Sequence, residues 1–241
     1  MSKPIERPIV RPIVRPCGED AVVLEYGEVI DPAIGRRVAA AAHAIEAADP
    51  PGLREVVPTF RSVLVLFDPD VTDPDTLVAL AEGAGEAGGE GARRWRLPVC
   101  LTGAMAEDIS QAAEGLSLSE DEVRQRLLAS EMQVGMFGFA PGFAYLSGVD
   151  PALAIPRRPA PRPPMPVGSL IIAGGMAALT SMSMPTGWYV VGRTAISLFR
   201  PERQPMVPFA VGDTIRLSAV GPDELDALTA DPDGGATMEG A

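Results

Sequence analysis

Histidine is almost missing from this chain of 241 residues: His43 is the single one, in an alanine-rich run of the first predicted helix. A histidine general base, or a Ser-His or Cys-His nucleophile pair, would have only that residue to draw on, and its setting reads as structural or surface. Cysteine is scarce too. Cys17 and Cys100 are too few for a disulfide scaffold, no Cys/His spacing supports a metal, and Cys100, ending an apolar strand, should be buried and inert. No apolar run approaches the roughly 18 residues a membrane span needs. No charged-then-apolar leader opens the chain, so a soluble, cytoplasmic protein is expected. Positive charge is in deficit: Lys+Arg 20 against Asp+Glu 32, net −12. That argues against nucleic acid or a membrane surface, which select basic faces, and leaves a small molecule or another protein as partner. No cofactor is expected.

What is present reads as folded and loop-rich. Apolar residues make up 46 % and charged residues 22 %, while Gly 25 and Pro 25 together fall short of the composition that marks disorder. The length fits one large domain or two small ones. The charge is uneven. The first sixteen residues repeat Arg7-Pro-Ile-Val-Arg11-Pro-Ile-Val-Arg15-Pro16; prolines at that spacing preclude a helix and leave an extended arm, an edge strand or a frayed end. The last twenty residues hold six carboxylates and no Lys or Arg, and their latter half is expected to be a disordered tail. Between Pro141 and Arg216 the sign reverses: Arg157, Arg158, Arg162, Arg193, Arg200, Arg203 and Arg216 outnumber the carboxylates. Guanidinium groups hold carboxylates bidentately, so these arginines either bind one or are solvated surface.

The first half alternates strand and helix patterns. Ala21 to Tyr26 is a short strand. Asp31-Pro32 is an N-cap with proline at the first helical position, opening a helix through Ala48. Glu55 to Val57 and Ser62 to Phe67 are apolar strands, Asp73-Pro74 opens a second helix over 74–84, and 83–91 is a plausible linker. With Arg93 to Val99 as fourth strand, the order βαββαβ is the ferredoxin-like split βαβ pattern. In the second half, Ser119-Glu-Asp-Glu122 is a capping box whose helix runs to about Ala129. Short apolar runs then follow (133–139, 169–173, 188–191, 195–199, 214–218), separated by Gly/Pro turns. That punctuation suggests an all-β barrel or sandwich.

Four segments in order carry a resemblance: Gly138-Phe-Ala-Pro-Gly-Phe-Ala-Tyr-Leu-Ser-Gly-Val-Asp-Pro151, Ile155-Pro-Arg-Arg-Pro-Ala-Pro-Arg162, Pro166-Val-Gly-Ser169 with Ile172-Ala-Gly174, and Pro185-Thr-Gly-Trp-Tyr-Val-Val-Gly-Arg-Thr194. Gly18 to Gly27, Val56 to Ser62 and Leu97-Pro-Val-Cys100 extend it over roughly residues 15–220. The chain resembles a divergent member of the carboxyltransferase-domain family that contains the B subunit of 5-oxoprolinase, allophanate hydrolase subunit 1 and a sporulation kinase inhibitor. The resemblance implies an α+β organisation, a ferredoxin-like domain over 17–99 and a cyclophilin-like β-barrel over 100–220, which the proline and charge patterns flank with an extended arm over 1–16 and an acidic tail over 221–241. It also implies a homologous second subunit, or self-association, and either ATP-dependent opening of 5-oxoproline or a place in biotin-dependent urea carboxylation.

The departures fall on proton-moving positions. Where the family places a Tyr and an acid after the Pro-Val-Cys strand, and a His and a Tyr before the Gly-Phe motif, this chain has Leu101, Ala104, Leu127 and Met132. A polar stretch after Gly174 is replaced by one holding Met176, Met182 and Met184, either soft apolar surface for a greasier ligand or core filling. Tyr145, Arg158 and Arg193 are the candidate catalytic groups. Phe139, Pro141, Gly142, Phe143, Arg157, Arg162, Met176, Met182, Met184 and Trp188 are the candidate substrate-binding set, for a small-molecule substrate that is carboxylate-bearing or apolar. The expected function is one subunit of a lactam- or amide-cleaving hydrolase complex. The alternatives are a stand-alone enzyme of a specialised pathway with an apolar pocket, and a regulatory binding protein.

Overall fold

Residues 11–84 and 92–239 are described by a computed structural model, and the chain divides into one unit ending at Ala92 and another starting at Arg93. In the first, β1 (Ile13–Pro16), β2 (Ala21–Glu25), α1 (Pro32–Ala48), β3 (Leu53–Pro58), β4 (Ser62–Phe67) and α2 (Pro74–Gly83) follow in order. The strands form one antiparallel sheet in the order β1-β2-β4-β3. Alternation decides its faces: Val22 and Leu24 of β2 and Val63, Val65 and Phe67 of β4 are buried while their neighbours are not. Both helices begin as their sequences dictate. Asp31 accepts from the Ala33 N–H at 2.7 Å and Asp73 from Thr76 at 2.8 Å, each followed by proline. Ile34, Val38, Ala41 and Ile45 of α1 and Leu77 and Ala81 of α2 close the core with the sheet.

The second unit runs β5 (Arg94–Val99), α3 (Ile109–Leu116), α4 (Glu120–Ala129), β6 (Glu131–Phe137), β7 (Ala144–Ser147), β8 (Arg162–Met165), β9 (Ser169–Ala173), β10 (Met176–Leu179), β11 (Met184–Thr186), β12 (Tyr189–Arg193), β13 (Thr214–Ala219), α5 (Pro222–Leu228) and β14 (Thr237–Met238). Eight strands form one sheet in the order β12-β9-β10-β7-β6-β13-β5-β14, and β8 pairs with β11. Cys100, just past β5, exchanges two backbone hydrogen bonds with Arg193 at the end of β12, at 2.8 and 3.0 Å. The capping box at Ser119 forms with both of its hydrogen bonds.

Three expectations need correction. The run from Arg93 is a strand, but not the fourth strand of the first sheet. β5 pairs in parallel with β13 along six residues, because Leu97 and Val99 are fully buried in the second unit's core; the first domain therefore ends nearer 92 than 99. β1 supplies the fourth strand instead, at the edge beside β2, with Ile13 and Val14 exposed. Residues 195–199 alternate as a strand would, with Ile196 and Leu198 buried, yet the Ser197 N–H bonds to Pro232 of a turn rather than to a ladder. That turn belongs to the acidic terminal segment, which is ordered through residue 239. Leu225 is buried, Asp231 accepts from the Asp233 and Gly235 N–H groups, Asp233 pairs with Arg203 and Glu239 with Arg96. Three of its six carboxylates, Asp231, Asp233 and Glu239, thus serve as a local cap or ion-pair partners, and Asp223 and Glu224 lie in the first turn of α5. Residues 1–10 of the proposed arm and 85–91 of the proposed linker lie outside the described residues. Among the described residues no helix is long and apolar enough to cross a membrane.

Candidate functional site

The Gly-Phe-Ala-Pro-Gly-Phe motif is the connection from β6 to β7. Its turn closes with the Phe143 N–H donating to the Ala140 carbonyl at 3.0 Å. Gly142 has φ +72, and a Cβ there would lie 2.7 Å from the Leu198 carbonyl oxygen, so only glycine fits. Phe139 also adopts a left-handed φ of 70, which for a bulky side chain costs on the order of 1–3 kcal/mol. That strain holds the ring out at the lip, 76 % exposed.

Behind the lip an aromatic wall runs inward. Ring centroids are 5.7 Å apart for Phe139 and Phe143, 4.8 Å for Phe143 and Tyr145, and 6.0 Å for Tyr145 and Trp188. The pleat of β7 puts Tyr145 on the face opposite Ala144 and Leu146, which serve the main core. Trp188 enters just before β12, its backbone N–H donating to the Thr186 hydroxyl oxygen at 3.1 Å. These groups, with Ile171 and Met184 to Gly187, enclose a cavity of about 200 Å3. Arg157 lies over the Trp188 ring, 5.8 Å from its centroid, and is the one charged side chain among the lining residues. The lining includes neither a carboxylate nor an imidazole.

Three other candidate arginines do not line this cavity. Arg158 donates to Asp108 at 3.1 Å and to Gln111 at 2.7 Å, and lies over the Tyr189 ring. Arg162 donates to Asp108 at 2.7 Å and to Glu107, and Arg193 to Glu107 at 3.3 Å. Asp108 is buried and also accepts the Val190 N–H at 2.8 Å, while its own N–H donates to the Val190 carbonyl at 2.9 Å. The network thus pins the start of α3 to β12. Arg200 pairs with Glu202 and Arg203 with Asp233. Arg216, paired with Glu131 at 2.6 Å, holds that carboxyl below its usual range through their hydrogen bond.

The structure therefore brings Phe139, Phe143, Tyr145, Arg157, Met184 and Trp188 to one cavity, with Pro141 and Gly142 in the turn beside it. Met176 packs against the same cluster from behind, whereas Met182 is exposed elsewhere. Leu101, Leu127 and Met132 are buried in the main core, so they pack where the resemblance implied polar chemistry. His43 is exposed on α1. Sequence reading missed Ile171, Pro185, Thr186 and Gly187 of the lining, and also Glu107, Asp108 and Gln111, which precede or lie on α3, a helix without a start signal of its own. Glu107-Asp108, an acidic pair just after the Pro-Val-Cys strand, was the available signal.

Comparison with known proteins places the chain. The family described as carboxyltransferase domain, subdomain C and D, matches residues 12–209. The B subunit of 5-oxoprolinase from Bacillus subtilis (strain 168) is 33 % identical over 225 residues, 87 % of this chain and 93 % of that protein. The protein of the same name from Escherichia coli O157:H7 is 32 % identical over 202 residues, 83 % and 92 % of the two chains. Among solved structures, TTHA0988 superposes with TM-score 0.74 at 31 % identity, covering 87 % of this chain, which spans only 41 % of that longer one. The conserved uncharacterized protein PH0987 from Pyrococcus horikoshii, also 31 % identical, is spanned over 99 % of its length at TM-score 0.54. The K. lactis urea amidolyase shares the fold at TM-score 0.71 and 19 % identity, over 98 % of this chain and 17 % of its own.

Proposed function

Because the chain belongs to the carboxyltransferase-domain family, subdomains C and D, we propose that it is one subunit of an amide- or lactam-cleaving complex, binding substrate in the aromatic cavity. The two 5-oxoprolinase B subunits, matched over nearly their full length, support this reading. The observation that carries it is the cavity's chemistry. It has aromatic walls, one guanidinium and a strained aromatic lip, yet no side chain of its lining can serve as a carboxylate or imidazole base. Opening an amide requires a nucleophile to be deprotonated and a leaving nitrogen to be protonated. Those steps fall to a homologous second subunit, while this chain binds and orients. Tyr145 and Trp188 present ring faces, Arg157 faces the ligand, and Arg158 and Arg162, through Asp108 and Val190, and Arg193, through Glu107, act as positioning residues. We read the first unit as ferredoxin-like, supported by its sheet order with α1 and α2 on one face, and the second as a cyclophilin-like barrel, supported by the Cys100 to Arg193 bridge linking β5 back to β12.

The test is ATP-dependent ring opening of 5-oxoproline by the chain alone, by the homologous second subunit alone and by the two mixed. Turnover is expected only in the mixture, and at least about tenfold lower with Trp188→Ala, since an aromatic contact and its buried area are lost together. Turnover by this chain alone, or a mixture indifferent to Trp188→Ala, would contradict the reading.

A further inference from the structure

We propose that Phe139 is a lid on the cavity, held outward by its own backbone in the free chain and swung inward over bound substrate. This rests on the cavity being the substrate pocket and adds how its mouth opens and closes.

Backbone strain supplies the first reason. Three non-glycine residues among the described ones have a positive φ: Asp49 (φ 40), Ser117 (φ 56) and Phe139 (φ 70). The first two end helices, and each N–H returns to carbonyls of the last helical turn, so the fold gains hydrogen bonds from their conformation. Phe139 gains none. Among the described residues neither its N–H nor its carbonyl is hydrogen-bonded, although the turn around it closes from Gly138 to Phe143 and from Phe143 to Ala140. Its conformation therefore carries strain without a structural return, and a change of φ into the ordinary negative region breaks no hydrogen bond. The far side of the turn is fixed, because Gly142 sits tightly against the Leu198 carbonyl. Gly138, which precedes the ring, has the backbone freedom to absorb the movement.

Position supplies the second. The ring contacts from Phe139 through Phe143 and Tyr145 to Trp188, with Arg157 over Trp188, form one row that has Phe139 at one end and Arg157 at the other. Phe143 and Trp188 are buried, whereas Phe139, lining the same cavity, stands in water. An exposed phenylalanine is ordinary by itself. One that is also strained, without a backbone hydrogen bond and at the edge of a cavity is not placed there by packing. In the free chain an inward ring would cover empty space. A bound ligand supplies the surface on which the ring closes, and closure then removes both the strain and the exposed apolar face. The Arg157 end stays open to the second subunit, so closure excludes water on the Phe139 side without shutting out the groups that move protons.

Fluorine NMR of the full chain, with para-fluorophenylalanine at its seven phenylalanine positions and 5-oxoproline as titrant, tests this. Phe139→Leu and Phe143→Leu assign the two resonances by their loss. In the free chain the Phe139 resonance should show the largest solvent isotope shift between light and heavy water, since that ring is the most exposed of the phenylalanines. At saturation its isotope shift should fall toward that of the buried Phe143, while the Phe143 resonance itself moves as the cavity fills. Phe139→Gly, followed through the Phe143 resonance, should bind 5-oxoproline about tenfold more weakly, the scale of one aromatic contact. A Phe143 response with an unchanged Phe139 isotope shift, or an affinity unchanged in Phe139→Gly, overturns the lid and leaves the substrate pocket standing. No response of Phe143 at any concentration of 5-oxoproline overturns the pocket, and the lid with it.

Discussion

Gly142 and Phe139 share a turn and a left-handed backbone, and they should respond oppositely to substitution. At Gly142 any side chain meets the Leu198 carbonyl, so Gly142→Ala should lower unfolding free energy by about 2 kcal/mol or more, measured by urea denaturation. Phe139 bears strain without filling the core, so Phe139→Gly should leave the urea midpoint unchanged or higher while weakening ligand binding. A loss of stability would show that the ring packs rather than waits for a ligand. Tyr26 is a third case. Its hydroxyl is buried without a hydrogen-bond partner among the described residues, and burial pushes its pKa up to about 12. Unfolded tyrosine ionises near pH ~10. The folded value is the higher one, so the contribution to stability is intact below about pH 10 and is lost as pH rises toward 12. Tyr26→Phe should flatten that alkaline decline and leave stability at neutral pH equal or higher by up to about 1 kcal/mol, because an unsatisfied hydroxyl is removed. A pH-stability curve from pH 7 to 12 checks both halves.

Elements with their own start signals were legible. Asp31-Pro32, Asp73-Pro74 and the box at Ser119 each open a helix where the side-chain chemistry demands one. Helix α3 was not, since it begins at Asp108 with no side-chain cap bond; that carboxylate is committed to Arg158, Arg162 and Val190 instead. The identity of β5 as a strand was readable from Leu97 and Val99, but its partner was not. Pairing with β13 joins residues more than a hundred positions apart, and no local pattern encodes such a contact. The energetic consequence belongs to this scale. Asp108→Ala leaves Arg158 without a carboxylate, leaves the nine-tenths buried Arg162 with Glu107 alone, and unties α3 from β12. It should cost about 3–5 kcal/mol, far more than Ser119→Ala at about 1 kcal/mol. Thermal melts of the two variants compare them directly, and similar shifts would mean that the network is a surface decoration.

Across the whole molecule, composition indicated what the chain is not and motifs indicated its family, while the site was half legible. The aromatic residues of the cavity sit in two compact motifs, 138–145 and 185–188, and could be named from their order. The arginines could be named but not sorted. Which of them face a ligand depends on Glu107 and Asp108, about fifty residues from Arg158 and Arg162 in sequence, and only the folded arrangement shows that Arg157 escapes them. The methionine stretch was ambiguous for the same reason: Met184 lines the cavity, Met176 backs it and Met182 faces solvent. The proposed division of labour puts binding on this chain and proton transfer on a second subunit. A crystal structure of the chain soaked with 5-oxoproline examines it most directly. The ligand is expected in the cavity lined by Phe143, Tyr145, Arg157 and Trp188; density instead beside His43, or at Arg158 and Arg193 with the cavity empty, would contradict it.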